Sequence, residues 1–155
     1  MKKNTISYEE NSLNLIKAID IAIEVIKEMP PKSIKKESFD IFLQSYLDFK
    51  HARQTAEKKF QNNKSLSYDI EAVFTYFQEV AEETTNLFWK RIKESGLPYK
   101  RENRLVKILK RGKIKNDIEF DFIIDIIQPY EADNIITTSD VILLNKMIAD
   151  FENKK

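Results

Sequence analysis

Only two of the 155 residues are glycine, Gly96 and Gly112. Glycine supplies the positive-φ backbone that tight hairpins and sharp bends require, so a chain this poor in it makes few of them. The four prolines, Pro30, Pro31, Pro98 and Pro129, fall between stretches of helical apolar spacing. Together these features predict an all-α fold of long helices, with the two glycines as left-handed C-terminal caps.

The apolar spacing fills in that frame. Ser7 and Glu10 have capping-box spacing, and Leu15, Ala18, Ile19, Ala22, Ile26 and Met29 then share one helical face up to Pro30. A second helix is expected from Ser38 to Asn62, with Phe39, Phe42, Leu43, Tyr46, Phe49, Ala56 and Phe60 in one stripe. Gln61 to Ser67 reads as a polar loop. A third helix from Tyr68 to Ser95 carries Ile70, Val73, Phe74, Phe77, Ala81, Phe88 and Ile92, and Gly96 caps it. Three long helices joined by short polar loops make a long antiparallel three-helix bundle over residues 7–95.

Beyond Pro98 the elements shorten into a smaller C-terminal helical subdomain, residues 98–152, expected to pack on the bundle within a single domain of 1–155. It begins with a basic helix from Pro98 to Arg111, capped by Gly112. Asn116 is placed to cap an element from Asp117 to Ile127, which Pro129 ends. Ile118, Phe120, Phe122, Ile124 and Ile126 also alternate with period two, the pattern of a strand, but no second segment alternates comparably to pair with it. Helix is therefore expected there. Thr138 or Ser139 caps a last helix through Val141, Leu144, Met147, Ile148 and Phe151.

Composition bounds the function classes. A hydrophobic content of 42% with ten Phe and six Tyr argues against disorder, and a chain this size buries roughly 68–70% of its unfolded surface without staples. No cysteine is present, which removes disulfides, thiol nucleophiles and thiolate metal sites and suits the cytoplasm. Polar residues follow Lys2 and Lys3 where a signal peptide needs an apolar core, and no apolar run approaches the roughly 20 residues of a membrane span. Two glycines sixteen positions apart exclude both a Walker loop and GxGxxG. The single histidine, His51, stands in neither HExxH nor ExxH, and no GxSxG elbow occurs. No cofactor is expected.

Charge gives the strongest local signal. Lys90 to Lys115 holds eleven Lys or Arg against Glu94 and Glu102, a balance of about +9, whereas 116–155 balances near −6 in a chain of net charge +1. On a helix at 100° per residue, Lys100, Arg104, Lys107 and Arg111 lie within a wedge of roughly 60°. Lys90, Lys93, Arg101, Lys113 and Lys115 widen it. Such a stripe suits a phosphate backbone or an acidic protein surface. Against this stands neutralisation within the chain, by the one-turn ladder Asp117, Asp121 and Asp125 across a hairpin turned at Gly112. The same ladder is a candidate for Mg²⁺.

Three further features are candidates. Lys50, Arg53 and Glu57 interrupt an apolar face as a polar cluster that either holds an anion or pairs with Glu79, Glu82 or Glu83 on the third helix. Trp89 lies off the main apolar stripe beside the basic run, available to stack on a base or to anchor a protein contact unless it packs inside. Thr84 and Thr85 read as bonded to backbone rather than as nucleophiles. The sequence thus points to a non-catalytic binding, adaptor or regulatory protein acting through a protein surface around the basic fourth helix. A nucleic-acid-binding module is the alternative and a carboxylate-metal enzyme the third reading.

Overall fold

The computed structural model describes residues 7–154, and every regular element among them is an α-helix or a short 3₁₀ turn. The helices are α1 (Tyr8–Glu28), α2 (Phe39–Gln54), α3 (Asn63–Glu79), α4 (Glu83–Ser95), α5 (Val106–Arg111), α6 (Asp117–Ala132) and α7 (Thr138–Asn153). They form two compact units, Met1–Phe77 with Glu82–Lys100 and Gln78–Ala81 with Arg101–Lys155.

In the first unit α1 packs against both α2 and α4. Its inward stripe is the one the spacing predicts: Leu15, Ala18, Ile19, Ala22 and Ile26 expose no surface. Ser7 Oγ accepts the Glu10 amide at 3.2 Å, satisfying one of the orphan donors of the first turn. Val73, Phe77, Phe88 and Ile92 close the same core, with the Phe77 and Phe88 rings stacked at 3.8 Å between centroids.

Two boundaries differ from the spacing. The second helix stops at Gln54, and Thr55 caps its end, its amide and hydroxyl both donating to the His51 carbonyl at 2.9 and 2.8 Å. The third starts at Asn63, inside the expected loop, because Asn62 Oδ1 accepts the Ser65 amide at 2.9 Å as an N-cap.

The largest correction concerns the expected helix from Tyr68 to Ser95, which is two helices. Glu82 breaks it. Its extended backbone (φ −156°, ψ 172°) caps α4, and its side chain and that of Thr85 bond reciprocally to each other's backbone. The Glu82 carboxylate also accepts the Ser33 amide at 3.0 Å, the Ser33 hydroxyl at 2.6 Å and the Tyr76 hydroxyl at 2.5 Å. A helix continued through 80–82 would forfeit all of these bonds. Gly96, at φ 75°, ends α4 as expected, and Leu97 after it packs on the core.

In the second unit α7 packs against both α5 and α6 around Leu105, Ile123, Ile126, Tyr130 and Leu144, all fully buried. The period-two segment is helical. Asn116 Oδ1 accepts the Glu119 amide at 2.9 Å, and Ile123, Ile126 and Tyr130 turn inward at helical spacing. Pro129 does not end it. Proline deletes one backbone bond, but the turn beyond closes through the Asp133 amide to the Pro129 carbonyl at 3.0 Å, and the helix stops only where Asn134 adopts φ 59°. The cap of α7 is Thr137, one residue before those expected, in a reciprocal box with Asp140. No helix among the described residues is long and apolar enough to cross a membrane.

Candidate functional site: the cationic surface around α5

The expected basic helix from Pro98 to Arg111 is helical only over its last turn and a half, and side chains hold the segment before it. Asn103 Oδ1 accepts the Leu105 amide at 2.9 Å, a turn that competes with helix. The Glu102 amide donates to Gln78 Oε1 at 2.8 Å. Tyr130 then clamps both sides of Asn103, its hydroxyl donating to the Glu102 carbonyl at 2.8 Å and accepting the Arg104 amide at 3.2 Å. The buried Arg101 guanidinium lies 5.5 Å over the Tyr130 ring. Burial pushes the Tyr130 phenol up and the Arg101 guanidinium down from their ordinary ranges.

This conformation corrects the four-cation helical stripe. Lys100 and Arg104 precede α5, so only Lys107 and Arg111 share its axis. Arg104 pairs with Glu102 in the same irregular segment at 3.3 Å. Arg111 pairs with Glu119, and its Nε donates to the Lys113 carbonyl at 3.1 Å. Glu119 also accepts the Lys115 amide at 2.8 Å. Burial pushes the Glu119 carboxyl up, but the bonds from Arg111 and Lys115 and the charge of both cations bring it below the usual carboxylate range.

Neutralisation across the Gly112 turn is thus partial, and Arg111 uses Glu119 rather than a member of the aspartate ladder. Asp117, Asp121 and Asp125 are exposed, and Asp121 and Asp125 enter no ion pair among the described residues. Lys107, Lys110 and Lys113 are likewise exposed and enter none. On α5, Lys107 and Lys110 lie three residues apart, on the side away from the buried Leu105 and Ile108. Lys110 fell outside the expected stripe because a straight helix from Pro98 displaces it from the four-residue row. Its spacing from Lys107 was the signal available.

The other candidates are placed differently. Trp89 is buried, its indole N–H donating to the Phe77 carbonyl at 2.9 Å and its ring stacked on Phe74, so it offers no surface for a base or a partner. Lys50, Arg53 and Glu57 do not form a cluster. Lys50 pairs with Asp20 of α1 at 2.7 Å and Arg53 with Asp69 of α3 at 3.2 Å, in place of the glutamates expected, and Glu57 lies beyond α2 beside Lys59. Arg53 Nε and Nη1 are buried without a hydrogen-bond partner among the described residues, the guanidinium lying 5.8 Å from the Tyr8 ring.

The Thr84 hydroxyl donates to the Met29 carbonyl at the end of α1 and that of Thr85 to the Glu82 carbonyl. His51 is exposed on α2. Among the described residues no three His, Asp or Glu side chains stand close enough to hold a metal ion, the aspartate ladder included. No protein-family model matches the chain, no curated protein matches it, and no solved structure matches it.

Proposed function

We propose that this chain is a non-catalytic binding protein that docks an acidic protein surface through the cationic face of α5, Lys107 and Lys110, with Lys113 beside it. One observation carries this: these ammonium groups have no carboxylate partner among the described residues, while Arg104 and Arg111 on either side are neutralised within the chain. Unpaired charges on a short rigid helix steer a partner of opposite sign and set its orientation more than its affinity.

Two features favour protein over nucleic acid. A six-residue helix is only about 9 Å long and reaches few phosphates. Trp89 and Tyr130, aromatics that could stack a base only if exposed, are buried. The hydroxyls of Thr84 and Thr85 are committed to backbone carbonyls, which supports a non-catalytic role.

Affinity capture from a native lysate, treated with nuclease and run at low and high salt, tests this with wild type and the Lys107→Glu/Lys110→Glu variant. Wild type retains a protein partner at low salt and the variant loses it. Retention by the variant, or loss from wild type on nuclease treatment, overturns the proposal.

A further inference from the structure

We infer that the acidic surface met by α5 belongs to a second copy of this chain, on the outer face of α6. This self-pairing rests on the docking role proposed above for Lys107 and Lys110 and supplies its partner. Residues 101–155 carry ten Lys or Arg and ten Asp or Glu, with the signs segregated: about +6 over 101–115 and about −6 over 116–155. A segment that is neutral in sum but divided in this way attracts its own kind in one orientation.

Both faces point away from their own core. On α6, Asp121 and Asp125 lie one turn apart, opposite the buried Ile123, Ile126 and Tyr130. Ile118 and Ile124 border them, 81% and 48% exposed. On α5, Lys107 and Lys110 are bordered by Val106, 45% exposed. Lys107 and Lys110 are about 4.5 Å apart along their axis and Asp121 and Asp125 about 6 Å along theirs, a spacing that lets each lysine reach one carboxylate.

Among the described residues, the ion pairs of this segment are Arg104 with Glu102 before α5 and Arg111 with Glu119 at the Gly112 turn, and neither uses Lys107, Lys110, Asp121 or Asp125. Arg111 with Glu119 joins α5 to α6 there, and α7 packs on both helices. The lysines and the two aspartates have no ion-pair partner among the described residues, and each face has an apolar edge to cover. A second copy meets both needs, joining Lys107 and Lys110 to Asp121 and Asp125 and laying Val106 against Ile118 or Ile124. Exposed ion pairs are individually weak, so the association is weak and strongly salt-dependent.

Sedimentation of the full chain at rising concentration, in about 50 mM and about 500 mM salt, reads the association directly. At low salt the mass rises from 18.3 kDa towards twice that value, and at high salt it stays monomeric. Lys107→Glu/Lys110→Glu and Asp121→Lys/Asp125→Lys each abolish the rise when alone, with helix content unchanged. Mixed in equal amounts, the two variants restore it. Monomeric wild type at low salt, association that survives either reversal, or a mixture that stays monomeric overturns the self-pairing. A monomeric wild type that still captures a protein partner through Lys107 and Lys110 removes only the self-pairing; one that captures none removes the docking role as well.

Discussion

Replacing Tyr130 by phenylalanine keeps the buried ring and removes one hydroxyl. That hydroxyl donates to the Glu102 carbonyl at 2.8 Å and accepts the Arg104 amide at 3.2 Å, so its loss strands two backbone groups on either side of Asn103. A net hydrogen bond contributes about 1 kcal/mol, and a stranded polar group costs at least as much where water cannot reach it. Arg104 is exposed and Glu102 is exposed, so water recovers part of that penalty. The expected cost is therefore about 2 kcal/mol, equivalent to a roughly 30-fold rise in local opening. Amide hydrogen exchange measures it residue by residue, with protection at Arg104 falling about that much while Phe77 and Ile92 in the first unit keep theirs. Unchanged protection at Arg104 would refute the clamp, and with it the account of why residues 99–105 are not helical.

Glu82→Ala removes the acceptor of three hydrogen bonds from Ser33 and Tyr76 and the cap of α4 together, and is expected to cost about 3 kcal/mol in denaturant unfolding, with Glu82→Gln recovering part of it. Gly96→Ala is expected to cost about 1 kcal/mol from backbone conformation alone, since φ is 75° and an added Cβ meets nothing within 4 Å; a neutral result in thermal melting would contradict this. Burial raises the phenols of Tyr46 and Tyr76, the latter helped by its bond to Glu82, and pushes that of Tyr99 up to about 12. Free phenols ionise near pH 10, so folded stability is expected to hold below about pH 10 and to fall as pH rises through the folded values, tracked by phenolate absorbance alongside helical signal.

What was legible in the sequence were features that act within one turn. Ser7, Gly96, Gly112 and Asn116 cap helices where their spacing places them, and the stripe from Leu15 to Ile26 is buried, because capping and amphipathic periodicity need no distant partner. Contacts between separated residues account for the two largest misplacements. Glu82 breaks a periodic helix because Ser33, 49 positions away, and Tyr76 reward its extended backbone. Residues 99–105 leave the helix because Gln78 and Tyr130 offer better bonds to their backbone. The basic surface was visible as composition, but its partition was not. Which cations are neutralised depends on Glu102 and Glu119, and the aspartate ladder that looked complementary on a wheel stands on the outer face of α6.

The central claim is that Lys107 and Lys110 serve contacts outside their own molecule, and their joint reversal to glutamate tests it most directly. The account predicts a variant whose thermal stability stays within roughly 0.5 kcal/mol of wild type, because neither ammonium has an ion-pair partner among the described residues to lose, and whose association is abolished at low salt. A variant that unfolds more easily yet still associates would contradict it, placing both lysines in the internal structure instead.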